Sequence, residues 1–157
     1  MANAMIALAT ITLGASQSTV TFSSISGSYR DLRLIISNIT GSIATRTVFN
    51  GDTTAANYNS VTAYGDGATA SSTSVSGTRA YLNLHFNAAS ENWLIDIMDY
   101  SATDKHKTVL AKLTDSTSAS QMASGRWGST AAITSIALTS PIGYPIGSVF
   151  TLYGAKA

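Results

Sequence analysis

The feature that most restricts how this chain can fold is its rhythm. Short segments alternate apolar and polar residues, and each is closed by a turn of small residues. Residues 79–87 display it most clearly, with Leu82, Leu84 and Phe86 set against Tyr81, Asn83 and His85. A period of two sends successive side chains to opposite faces of a pleated strand, so one face is apolar and the other polar. The same reading gives strands at Met5–Leu13, Thr19–Phe22, Leu32–Ser37, Ile43–Phe49, Trp93–Tyr100, Thr108–Thr114, Ile133–Thr139 and Val149–Tyr153. Trp93–Tyr100 is apolar on both faces in its first half, the pattern of a central strand. Nine or ten strands result, and no stretch carries a helical period.

The strongest turn signal lies in Arg46-Thr47-Val48-Phe49-Asn50-Gly51-Asp52, closed by Asn57-Tyr58. Asn and Gly both tolerate the positive φ of a tight hairpin, so a hairpin turn is expected at Asn50-Gly51. Gly65–Thr78 has almost no large apolar side chain and reads as a long loop. Ser116–Gly125 is a second low-complexity stretch. No internal repeat or domain boundary interrupts the pattern. Many short strands with regular turns imply an all-β fold, a single antiparallel β-sandwich of jelly-roll wiring over residues 1–157. Residues 1–8 are expected to form an N-terminal arm and 154–157 a tail.

Charged residues are 11% of the chain, against roughly 25% in an ordinary soluble protein. Serine and threonine supply 44 of the 157 residues, so the polar strand faces are mostly hydroxyl. A net charge of +1 gives no long-range steering, which argues against a nucleic-acid partner. So neutral a surface also resists self-association weakly, as suits a protein that works in an assembly. The chain has no cysteine, which fits a reducing compartment. No Lys or Arg precedes Arg30, so Met1–Leu8 lacks the positive region of a secretory signal, and no apolar run approaches a membrane span.

Candidates for chemistry are few. His85 and His106 are the two histidines, and His85 falls on the polar face of its strand. Asp99, Asp104 and His106 cluster in the segment 99–107, but their spacing matches no calcium loop or zinc motif, and a hydrogen-bonded turn is expected there. Asp96 and Asp99 are three apart in a strand and so cannot form a carboxylate pair. Asn50 and Asp52 flank a glycine as calcium ligands do, without the further acidic positions such a loop needs. No nucleophile elbow, phosphate loop or zinc-protease pattern is present, and Asn38-Ile39-Thr40 is a glycosylation acceptor in form only. The expectation is a protein without catalytic residues, cofactor or metal.

The aromatic residues Tyr29, Tyr58, Tyr64, Tyr81, Trp93, Tyr100, Trp127, Tyr144 and Tyr153 could stack on sugar rings, anchor an interface or fill a core. Trp127, between Gly125 and Gly128 with Arg126 beside it, is the expected exposed anchor. Met5, Ile6 and Leu8 in the arm are the other expected interface residues, placed to add a strand to a neighbouring chain.

Five elements taken together resemble a family of small structural proteins of tailed bacteriophages. They are Ile25-Ser26-Gly27-Ser28-Tyr29-Arg30-Asp31-Leu32-Arg33-Leu34; Phe49-Asn50-Gly51-Asp52 with Asn57-Tyr58; Ile97-Met98-Asp99-Tyr100; residues 127–136; and Ser148-Val149-Phe150-Thr151-Leu152-Tyr153-Gly154. They span nearly the whole chain in order. The resemblance implies a β-sandwich virion protein assembled in the host bacterial cytoplasm, and brings no catalytic residues with it. The leading expectation is a capsid cement or decoration protein that binds the major capsid protein on the outer shell, as a homo-oligomer, in the first instance a trimer. The alternatives are a tail- or head-fibre domain that binds host surface glycans and, behind it, a free carbohydrate-binding module.

Overall fold

The computed structural model describes residues 4–41, 43–85, 91–114 and 120–156. Among them are twelve strands: β1 (Met5–Thr12), β2 (Gln17–Phe22), β3 (Asp31–Ile39), β4 (Ala44–Phe49), β5 (Tyr58–Gly65), β6 (Ala70–Ser76), β7 (Leu82–His85), β8 (Glu91–Met98), β9 (Lys107–Thr114), β10 (Ser120–Trp127), β11 (Ile136–Tyr144) and β12 (Val149–Ala155). They form an eight-stranded sheet in the order β1-β12-β3-β8-β9-β10-β5-β6 and a four-stranded sheet in the order β2-β11-β4-β7. Neighbouring strands run antiparallel throughout, and the two sheets stack as a jelly-roll-like β-sandwich.

The alternation in the sequence sets the inner face. In β3, Leu32, Leu34 and Ile36 are buried while Arg33, Ile35 and Ser37 face outward. Trp93, Ile95 and Ile97 of β8 and Val109, Ala111 and Leu113 of β9 continue that buried face across the large sheet. Val20, Phe22, Phe49, Ile136 and Leu138 answer from the small sheet, in one shared core. Each Val, Leu, Ile or Phe side chain among them stabilises the fold by about 1.5–3 kcal/mol relative to exposure.

Three strands depart from expectation. Gly65–Thr78 is not one loop, since Ala70–Ser76 pairs with β5 over its whole length. An edge strand needs only backbone partners on one side, so a run of Ser and Thr suffices without apolar anchors. Likewise β10 occupies most of the low-complexity stretch, its small residues alternating outward and inward. Residues 58–65, with Tyr58, Ser60 and Thr62 turned inward, make a buried polar seam that hydropathy does not reveal as β5. The described parts of the expected arm and tail, residues 4–8 and 154–156, are also ordered against the sheet or belong to it. Met5–Thr12 pairs with β12 of its own chain, and Gly154 and Ala155 belong to that strand. Leu84 and His85 lie in β7, whereas Phe86 and Asn87, which completed the expected alternation, lie outside the described residues.

Close packing fixes one glycine. Gly154 faces inward on β12, and a Cβ added there falls inside van der Waals contact of three Tyr29 ring atoms. Tyr29 is in turn held by Tyr100, whose hydroxyl donates to Ser26 O and accepts from Tyr29 N. Gly154→Ala therefore displaces the ring and costs about 1–3 kcal/mol, as overpacking does. Thermal unfolding checks this; an unchanged melting temperature contradicts it.

The segment 99–107 is a turn, with Asp99 at φ 50°, Ala102 N donating to Asp99 O, and Lys105 paired with Asp99 at 3.5 Å. Lys107 at its end is buried. Its ammonium donates to Lys105 O at 2.8 Å and Thr130 O at 3.3 Å, tying two loops together, and burial pulls its pKa down.

Candidate functional site

The Asn-Gly turn has the local form its residues dictate. Asn50 and Gly51 both sit at positive φ, 52° and 66°, and Asp52 N donates to Phe49 O at 2.8 Å. It is not a hairpin, however. The chain leaves β4 in the small sheet and enters β5 in the large one, through a short 3-10 turn at Ala55–Asn57. Side chains explain the difference. Asn50 Nδ2 donates to Ala132 O at 2.8 Å, while its Oδ1 accepts from Thr134 N at 2.8 Å and Ser135 N at 3.0 Å. The turn is thus bound to a distant segment rather than to a returning strand.

Asp52 completes the knot. Its carboxylate accepts from Thr54 N at 2.8 Å, from Asn57 Nδ2 at 2.7 Å and from Trp127 Nε1 at 2.7 Å. The Tyr58 hydroxyl donates to Asp52 O and accepts from Phe49 N. Trp127 is 2% exposed and packs against Phe49, with ring centroids 5.5 Å apart. The expectation of an exposed Trp127 anchor is therefore corrected. Its flanking glycines do not present the ring; alternation along β10 turns it inward, and its indole N–H finds its partner in the half-buried carboxylate of Asp52. Arg126 is exposed on the opposite face. Asp52 has its oxygens engaged by donors, an arrangement for an anion in a turn rather than for a cation.

The side of the large sheet that faces away from the core is less ordinary. Cross-strand register lines up Arg33, Asp96, Leu110, Ser124 and Val61 in one row, and Ile35, Leu94, Lys112, Met122 and Ala63 in the next. Met122 is 63% exposed, Val61 53% and Leu110 40%. With Leu94 and Ala63 they line a groove of about 400 Å³. Beside it the surface continues into a polar stretch with Asn59, Ser74, Ser76 and Arg126. Arg33 and Asp96 close one flank with a bidentate pair, Nε to Oδ1 at 2.6 Å and Nη2 to Oδ2 at 2.9 Å. This pair holds the guanidinium pKa above its ordinary value. Such fork geometry gives the groove a fixed rim.

Of the expected interface residues, Met5, Ile6 and Leu8 lie on β1, three positions in strand order from β8, the nearest strand of the groove. Met5 Sδ reaches Arg33 Nη1 at 4.0 Å, and Leu8 packs against the core. They do not converge with Trp127. The groove residues went unnoticed in the sequence because Val61, Leu110 and Met122 come from three strands, two of them hidden in small-residue segments. Their signal is a large apolar side chain at an outward position of an alternating strand. A second exposed pair, Ile142 and Ile146, lies in two Pro-Ile-Gly segments, one at the end of β11 where its register breaks and one in the turn before β12, whose glycines have φ 81° and 84°.

Fold and site together define a two-sheet antiparallel β-sandwich with an open aliphatic face. No protein-family model and no curated protein sequence matches the chain. Among solved structures it is similar to a galectin, LEC-6, of Caenorhabditis elegans, at 11% identity and a TM-score of 0.39, over 94% of this chain and 96% of that one. It is also similar to the alginate lyase Aly36B, at 10% identity and a TM-score of 0.35, over 93% and 77% of the two chains. A family two carbohydrate esterase of Cellvibrio japonicus aligns at 12% identity and a TM-score of 0.25, over 90% of this chain and 35% of the esterase. Likenesses this distant carry no functional argument.

Proposed function

We propose that this chain is a capsid cement or decoration protein of a tailed bacteriophage, and that it docks on the major capsid protein through the outer face of its eight-stranded sheet. The observation that carries the reading is the aliphatic groove of Val61, Leu94, Leu110 and Met122 on that face. Exposed apolar side chains gathered in one place mark a contact surface. Aliphatic lining suits a protein surface, whereas a sugar ring stacks on aromatic rings. Five of the nine Tyr and Trp residues weighed as a sugar platform (Tyr58, Trp93, Tyr100, Trp127 and Tyr144) are core residues here. The sequence resemblance to virion proteins supplies the setting. In a shell of many identical sites, a modest contact per copy becomes strong by repetition.

The test is the copy number of this chain in purified particles, measured by mass spectrometry against the major capsid protein. Stoichiometry comparable with the capsid protein is expected. A few copies per particle would overturn the reading in favour of a fibre or vertex protein, with host glycan as the next ligand to try.

A further inference from the structure

Sheet edges display unpaired backbone N–H and C=O groups, and natural edge strands are blunted by charge, proline, bulges or shortness. In the large sheet, β1 has such a guard, a register shift between Ala7 and Ala9. In the small sheet, β2 loses its ladder with β11 between Thr139 and Tyr144. The strand β6 has none of these. Its seven residues, Ala-Ser-Ser-Thr-Ser-Val-Ser, include no charge and no proline, and pair with β5 in unbroken register from Asn59↔Ser76 to Gly65↔Ala70. Six of the seven are exposed. The strand is already ordered, so a partner strand would form its ladder without first fixing this backbone.

Charge around the strand selects the partner's direction. Asp66 precedes β6 and Arg79 follows it. The Asp66 carboxylate is held in the β5–β6 turn by Ala68 N at 2.9 Å and Thr69 N at 2.6 Å. Arg79 donates Nη1 to Tyr81 Oη at 2.9 Å. A second β6 laid antiparallel brings the acidic end of each copy to the basic end of the other. Laid parallel, it sets like charges side by side.

We propose that the open edge of β6 pairs antiparallel with β6 of a second copy of this chain, about a two-fold axis at Thr73. Thr73 then faces the partner's Thr73, Ser72 faces the partner's Ser74, and the two eight-stranded sheets become one. The contact is self-complementary and closed, so it ends at a dimer rather than growing into a fibre. Because the axis is perpendicular to the sheet, both outer faces look the same way. Under the capsid-docking reading each dimer thus binds through two grooves, although the dimer does not rest on that reading.

Light scattering on the purified chain at tens of micromolar tests this. A mass twice the 16.3 kDa of one chain is expected. Thr73→Lys, which sets two ammonium groups face to face on the axis, should return the single-chain mass with unchanged thermal unfolding. The chain has no cysteine, so Thr73→Cys introduces one thiol and should yield a disulfide-linked dimer in air, while Thr10→Cys on β1 should not. A wild-type monomer or trimer would overturn the proposal. So would a dimer that survives Thr73→Lys, or one that Thr73→Cys does not cross-link.

Discussion

Asp52→Ala should lower the stability of the folded chain by roughly 3–5 kcal/mol, a large share of the 5–15 kcal/mol typical of a domain. The substitution removes one acceptor from three donors, Thr54 N, Asn57 Nδ2 and Trp127 Nε1. The indole N–H is the costliest loss, because it belongs to a buried ring and donates to a charged acceptor in a half-buried site. The three donors come from two segments, so the crossing from β4 to β5 loosens along with the end of β10. Urea unfolding followed by tryptophan fluorescence measures the loss. An unchanged midpoint would mean that the knot contributes nothing.

The same carboxylate makes stability depend on pH. Burial by itself pushes the Asp52 pKa up, but hydrogen bonds from Asn57, Thr54 and Trp127 outweigh burial and hold it at about 2. An unfolded aspartate titrates near 3.9. The folded value is the lower one, so this contribution is complete above the unfolded pKa and is lost as pH falls from about 4 to about 2. After allowance for solvent screening it amounts to about 1–2 kcal/mol. Asp66 is held in the same direction by Thr69 and Ala68, so the loss steepens in that window. In Asp52→Ala the acid-induced decline should be shallower than in the wild type; an equal slope would contradict the assignment.

Met122→Lys should weaken docking on capsid shells at least 100-fold and leave the fold intact. Met122 is 63% exposed, so the substitution disturbs no core. Its cross-strand neighbour is Lys112, and a second ammonium there has no carboxylate facing it across that pair. Burying such a charge at a contact costs several kcal/mol, enough to remove most of the affinity of one site. Co-sedimentation with shells stripped of this protein, alongside a thermal melt, separates docking from folding. Full binding by a folded Met122→Lys would move the contact elsewhere, first to Ile142 and Ile146.

Much of the architecture was legible in the chain. Alternation of Leu32 and Leu34 with Arg33 marks the core face of that strand, which a slip of one residue would turn outward. Trp93-Leu94-Ile95, by contrast, is apolar on both faces and leaves the choice to the tertiary structure. Asn50-Gly51 specifies positive φ at two successive positions, and the turn obeys. Less legible were β5, β6 and β10, whose small and hydroxyl side chains carry little hydropathy contrast. Their pairing is made by backbone groups, which every residue type possesses. Flanking glycines suggest an exposed Trp127, whereas strand parity decides which face the ring takes and turns it inward.

What the sequence by itself determined is local: nine of the twelve described strands, the apolar face of those that alternate clearly, the positive φ of Asn50 and Gly51, and the scarcity of charge. These depend on neighbours a few residues apart, through backbone sterics and the period of two. Only the tertiary structure decided which strands share a sheet, and so whether the Asn-Gly turn closes a hairpin or crosses between sheets. It alone gathered Val61, Leu110 and Met122 into one surface and set Asp52 beside Trp127. Such placements come from hydrogen-bond partners and apolar faces far apart in the chain, whose pairing is settled by burial of the whole rather than by any segment.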